Sequence, residues 1–130
     1  MSKKSDKTFA FSPLRLIKSF FHAFSGVAHL IKNEKNIQVH TTAILVVCSA
    51  GLFFKIETWE WCVVLLCFGL VWGLEALNAS LEKLCDHISP EKSEAIKQVK
   101  DGAAAGVLVA AIITIVIAAF IFLPKVLTVF

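Results

Sequence analysis

The sequence predicts an all-α membrane protein, with one N-terminal amphipathic surface helix followed by three membrane-crossing helices. Three observations predict it. Of 130 residues, 57% are apolar and 18% charged, and the mean hydropathy is +0.75. A fold this small leaves much of its area outside, so that apolar surface needs lipid as its solvent. Three stretches, at about 37–54, 60–86 and 101–123, are long enough as helices to cross a hydrocarbon layer. Lysine and arginine crowd the segments on one side of those stretches. The length allows a single domain over residues 1–130.

Residues 1–11, MSKKSDKTFAF, are polar and basic, and are expected to be flexible or to lie at the headgroups. The segment after them is amphipathic rather than a compact apolar core with a small-residue cleavage site, so a signal peptide is rejected. Ser12-Pro13 reads as an N-cap followed by proline at the first helical position. Over residues 12–33, Ile17, Phe20, Phe21, Phe24, Ala28 and Ile31 recur at helical spacing. Arg15, Lys18, His22, Ser25, His29 and Lys32 form the opposite stripe. That separation suits a helix lying in the membrane interface with its basic face wet.

The first crossing runs from about Ile37 to Phe54, and the turn KIETWE then places Trp59 and Trp61 at an aromatic belt. The second begins near Trp61, but its unbroken apolar run stops at Leu74, too short to cross alone. That helix must continue through Glu75 toward Cys85. The third starts after Asp101 and runs apolar to Leu123, where Pro124 and Lys125 are expected to end it. Lys3, Lys4, Lys7, Arg15, Lys18, Lys32 and Lys35 precede the first crossing, and Lys83, Lys92, Lys97 and Lys100 lie between the second and third. The opposite side carries only Lys55 and Lys125. This asymmetry predicts a multi-pass protein of the cell (inner) membrane, with its N-terminus and the loop around 86–100 in the cytoplasm.

A net charge of +3, with no stretch alternating basic and aromatic residues, argues against a nucleic-acid partner. Cys48, Cys62, Cys67 and Cys85 include no C-x-x-C pair and read as small buried hydrophobes. His40 and His87 lack metal-site spacing and read as interfacial hydrogen-bonding residues. The small residues from Gly102 to Gly106 suit close helix packing.

The stretch GLEALNASLEKLCDHISPE, residues 73–91, carries the chemistry. Glu75, Asn78, Glu82 and Asp86 recur at three- and four-residue spacing, which stacks them along one helix face. Topology brings Glu34, ahead of the first crossing, and Lys100 and Asp101, at the head of the third, to the same end of the bundle. Acids, an amide and a lysine at one depth are the composition of a metal–phosphate site. Glu91, Lys92, Glu94 and Lys97 read as solvating charges. A carboxylate such as Glu75, in a helix that has just been apolar, is usually functional when it faces the bundle.

EALNASLEKLCDHISPE, followed by KDGAAAGVLVAAI from Lys100 and preceded by NEKNIQVH at 33–40, resembles the prokaryotic diacylglycerol kinase family, which includes the undecaprenol kinases. The likeness runs over about residues 12–125, with departures at His22, Ala79 and Ser93. The resemblance implies a homotrimer of three-crossing subunits with active sites shared between neighbouring chains. It implies an ATP- and Mg²⁺-dependent lipid kinase, with diacylglycerol placed first as the lipid alcohol and undecaprenol as the alternative. Glu75 would be the catalytic base acting on the lipid hydroxyl, and Asn78 would orient the reacting groups. Glu34 and Glu82 would bind the Mg²⁺ that accompanies ATP, Lys100 and Asp101 would contact the nucleotide, and Arg15 would help hold lipid or phosphate. Seven residues separate Glu75 from Glu82, about 10 Å along a helix, so one can stand nearer the lipid and the other nearer the nucleotide. A transport subunit would place its charges at mid-membrane with a broken helix. A non-enzymatic assembly subunit gives no reason for the acids to converge.

Overall fold

A computed structural model describes residues 12–89 and 93–129; the basic segment 1–11 lies outside the described residues. Four helices run in order: α1 Pro13–Asn33, α2 Lys35–Phe53, α3 Thr58–Ile88 and α4 Glu94–Val129. The last three are long and apolar enough to cross a membrane. The described fold is all-helical.

Glu34 alone separates α1 from α2. Its backbone is extended, with φ −104° and ψ 113°. Its N–H donates to the Leu30 carbonyl at 2.9 Å, and its own carbonyl accepts from the Gln38 N–H at 3.1 Å. The Gln38 side chain folds back so that Nε2 donates to the carbonyls of Ile31 at 3.0 Å and Lys32 at 3.3 Å. Acceptors that a helix end leaves over are thereby satisfied, and the elbow is fixed. At the other end of α1, Ser12 precedes Pro13 as expected, but its hydroxyl makes no cap bond. The Ser12 carbonyl accepts from the Arg15 and Leu16 N–H groups instead.

α2 ends in a Schellman turn. Lys55 adopts the left-handed conformation at φ 51°, its N–H donates to the Leu52 carbonyl, and the Ile56 N–H donates to the Gly51 carbonyl. That pairing closes the orphan carbonyls of the last turn. The chain can fold back this tightly because Gly51 lies under the Trp61 ring, where a Cβ would come within 2.8 Å of Cη2. A capping box then starts α3: the Glu57 N–H donates to the Glu60 carboxylate at 2.7 Å. Ile56, Val64 and Ile121 form the core of this end, with Val47, Trp61 and Ile117 packed around them.

α3 and α4 lie antiparallel, tied by one ion pair near each end. Glu60 meets Lys125 at 3.1 Å, and Asp86 meets Lys100 at 2.5 Å. Nearly equal lengths of chain separate the two anchors, so the helices keep one register. Val64, Val71, Asn78 and Cys85, seven residues apart, are buried along this face of α3, and Val107, Ala110 and Ile121 along α4. A repeat of seven is the signature of a packed helical seam.

Two boundaries differ from the sequence expectation. α3 extends to Ile88 and α4 begins at Glu94, so most of the expected loop at 86–100 is helix. Pro124 does not end the third crossing, because α4 continues through it to Val129. An interior proline loses its bond to the carbonyl four residues back and its ring crowds that carbonyl, a cost of about 3 kcal/mol that other contacts must offset. The flanking turn stays seated on α3 through buried Ile121 and the Lys125–Glu60 pair.

The accessible surface is 10399 Å² for 14.3 kDa, against roughly 6,800 Å² for a compact soluble monomer of that mass. Leu66 and Phe120 are 73% and 76% exposed. Such area belongs against lipid or other helices.

Candidate functional site

The site begins on the buried face of α3, beyond the apolar run that ends at Leu74. Glu75 is 3% exposed and Asn78 5%, one helical turn apart on the side turned to the bundle. By the register of the two ion pairs, they stand at the level of Ala110 and Val107 of α4, both buried. Neither neighbour offers a charge or a hydrogen bond. Among the described residues nothing pairs with the Glu75 carboxylate, and Asn78 Oδ1 is buried without a partner. Native interiors leave few such groups unsatisfied. One turn before Glu75, Trp72 Nε1 donates to Thr41 Oγ1 at 3.2 Å and ties α3 to α2.

Below this face an apolar cleft of about 210 Å³ opens between α2, α3 and α4. His40 and Val71 stand at one end of it, Val47 and Ala118 toward the other, and Thr114 on its α4 wall. The cleft is apolar and Glu75 does not line it, but its Val71 end lies one turn of α3 from Glu75, and an aliphatic chain can lie in it.

Further along α3 the charges stand nearer to solvent, and two of them are paired. Lys83 reaches Glu34 at the α1–α2 elbow, with Nζ 2.6 Å from Oε1. Lys100 is held by Asp86. Glu82 is exposed and contributes to the negative field at Lys100. Asp101 is exposed on α4 and Arg15 on α1. Arg15 stands near the far end of α1 from Glu34, about 28 Å along the helix.

One chain thus brings Glu75 and Asn78 together, and Glu82 into the range of Lys100. It does not bring Arg15 to them. It also gathers no group of three His, Cys, Asp or Glu side chains able to hold a metal ion among the described residues. Lys83 and Asp86 hold the ion pairs at this end of the bundle, and the sequence assigns neither of them a partner. Asp86 had a signal, since it continues the stripe of Glu75, Asn78 and Glu82; Lys83 had none, because its partner lies across a fold in the chain.

An unpaired carboxylate and amide inside a bundle of crossing helices, above an apolar cleft, define a multi-pass membrane protein with a polar site facing its own interior. A profile of the prokaryotic diacylglycerol kinase family matches residues 21–122. The chain is 36% identical over 111 residues to the undecaprenol kinase of Bacillus subtilis, covering 85% of this chain and 90% of that protein. It is 32% identical over 114 residues to a diacylglycerol kinase of Synechocystis sp., covering 87% of this chain and 65% of that protein. The chain belongs to the prokaryotic diacylglycerol kinase family and is a lipid kinase. The matched interval contains Glu34, Glu75, Asn78, Glu82, Lys100 and Asp101; Arg15 lies before it.

Proposed function

We propose that the chain transfers the γ-phosphate of ATP to the hydroxyl of a membrane lipid, with Mg²⁺ accompanying the nucleotide. The observation that carries this reading is Glu75, 3% exposed, on a helix that has just run apolar, with no cation paired to it among the described residues. A lipid alcohol is a poor nucleophile and needs a base at the point where the transfer occurs. Glu75 accepts the hydroxyl proton there, and Asn78, one turn on, orients the reacting oxygen through its amide. The apolar cleft below receives the lipid tail. Glu75 lies about 21 Å along α3 from Trp61, and Glu82 about 10 Å further. The acid nearer the lipid and the acid nearer the water are therefore separate residues on one helix.

Magnesium with ATP is commonly held by one or two carboxylates plus phosphate oxygens, not by a cage of protein ligands. Glu34 and Glu82 fit that donor set: each is an oxygen ligand at the end of the bundle where Lys100 and Asp101 stand, and Glu34 already attracts a cation, the Lys83 ammonium. The metal would supply neutralisation of the triphosphate. In this reading Lys100 leaves Asp86 for the nucleotide, Asp101 contacts the nucleotide as well, and Arg15 of the surface-lying α1 holds lipid or phosphate. The protein works as a homotrimer whose neighbouring chains complete each site. Its N-terminus and the segment around 86–100 face the cytoplasm of a cell whose inner membrane it spans.

The family's general assignment places diacylglycerol first, with undecaprenol second. Relatives named for each activity match this chain, so undecaprenol is supported as well as diacylglycerol. A transport role is disfavoured by α3 itself, which runs helical from Thr58 to Ile88 without a break at Glu75. The deciding experiment gives purified protein in detergent micelles γ-labelled Mg-ATP and each lipid separately. Label is expected in the organic phase with one lipid or both. No label with either ends the reading.

A further inference from the structure

Glu34 occupies a position with little freedom. Its backbone N–H and carbonyl are both bonded across the α1–α2 elbow, and Gln38 locks the turn above it. Only the carboxylate is left to choose a partner, and it takes Lys83 at 2.6 Å. Lys83 is otherwise weakly held. Its next neighbour is His29 Nε2 at 3.5 Å, and Asn33 Nδ2 lies 3.1 Å from the other ring nitrogen. When Asn33 donates to Nδ1 of a neutral ring, the proton sits on Nε2, which then cannot accept from the ammonium. The lysine side chain is 54% exposed and the glutamate 23%. This is a pair in which one member is fixed and the other can leave.

We propose that Lys83 is a resident counter-ion and positioning residue: its ammonium occupies, at Glu34, the place that a divalent cation takes during turnover, and the two compete for that carboxylate. The proposal rests on the kinase reading above. With Lys83 in place, the half-buried carboxylate stays neutralised and aimed while no nucleotide is bound. A single ammonium is a compact charge with three rotatable donors. Once released, it can turn to the oxygens of the incoming phosphates, so cation arrival frees a phosphate-binding group in the same step. Cation occupancy is thereby coupled to nucleotide occupancy, and binding of the cation alone is weak.

The test uses the full chain in detergent micelles without nucleotide, with Mn²⁺ as a paramagnetic probe read by loss of the free-ion resonance. Removing an ion pair of this exposure from the competition should tighten Mn²⁺ binding roughly two- to five-fold in Lys83→Met. Lys83→Gln, which keeps length and polarity, should match it and covers the case where the methionine variant does not fold. Lys83→Arg should stay at the wild-type position. In the Glu34→Gln background, Lys83→Met should change nothing. Unchanged or weakened Mn²⁺ binding in both neutral variants would overturn the competition, as would a wild-type protein that binds no Mn²⁺. The isotherm needs no lipid and no turnover. A failed phosphotransfer assay with an intact Lys83 effect would therefore sink the kinase chemistry and leave the pair's competition for a cation standing.

Discussion

Glu75→Gln separates a catalytic acid from a structural one by moving two measurements in different directions. Glutamine has nearly the volume of glutamate, so the packing around a side chain 3% exposed is kept. What changes is the charge. An ionised carboxylate buried with no partner costs folding free energy, on the order of several kcal/mol even after relaxation. The amide carries less of that cost, and none of the described residues loses an ion pair or hydrogen bond when the charge goes. Thermal stability should therefore hold or rise. A positioned base contributes about 10²- to 10⁴-fold, equal to roughly 3–5.5 kcal/mol of barrier, and turnover should fall by that amount. The assay pairs kcat at saturating lipid with the thermal midpoint in the same micelles. Turnover within about threefold of wild type in a folded variant would remove Glu75 as the base. A fall in the midpoint alongside the lost activity would show that the carboxylate is a structural partner after all.

The same geometry has other consequences. Asn78→Ala should lower turnover with little loss of stability, because Oδ1 has no partner to forfeit; a midpoint drop as large as that of an ordinary core truncation, about 2 kcal/mol or more, would contradict it. Glu82→Gln should raise the Mg²⁺ concentration needed for half-maximal rate, and an unaltered dependence would count against its ligand role. Lys55→Gly should stabilise the α2–α3 turn by up to about 1 kcal/mol, since a left-handed φ of 51° costs a lysine and not a glycine. Gly51→Ala should destabilise, because overpacking against Trp61 costs about 1–3 kcal/mol and outweighs the gain of roughly 1 kcal/mol in helix propensity. Trp61→Phe, which removes the ring atoms that the Cβ would strike, should shrink the defect; an equal defect in both backgrounds would refute the contact.

The crossings were legible because hydropathy and helix length are constraints that one segment meets alone. α2, α3 and α4 follow from apolar runs, and the continuation of α3 past Leu74 follows from the shortness of its run. The Glu75–Asn78 face was legible too, since three-residue spacing on a helix guarantees a shared side. Pro124 misled because the rule against interior proline weighs a local loss, whereas Ile121 and the Lys125–Glu60 pair hold that turn from another helix. Lys83 was invisible for the same reason. Nothing near residue 83 announces that Glu34 will be folded back against it by a one-residue elbow and a glutamine side chain. Local chemistry writes itself into spacing, and contacts across the fold do not.

The distribution of charge along the α3–α4 seam carries its own argument. A pair of long antiparallel helices needs its register fixed, and a charge pair near each end does so: Glu60 with Lys125 and Asp86 with Lys100. If every acid on α3 served packing, Glu75 would have a lysine opposite it as well. The position across the seam holds alanine, and the nearest polar neighbour on its own face is an amide with an unused oxygen. Leaving that carboxylate unpaired costs stability that a basic residue on α4 could have relieved. The arrangement is understandable if Glu75 must stay free for a group that the chain does not itself contain, a hydroxyl arriving from the lipid side. On that view Ala110→Lys is the sharpest single challenge: an ammonium beside Glu75 should silence the enzyme, and a folded variant that kept full turnover would show that the acid was never needed free.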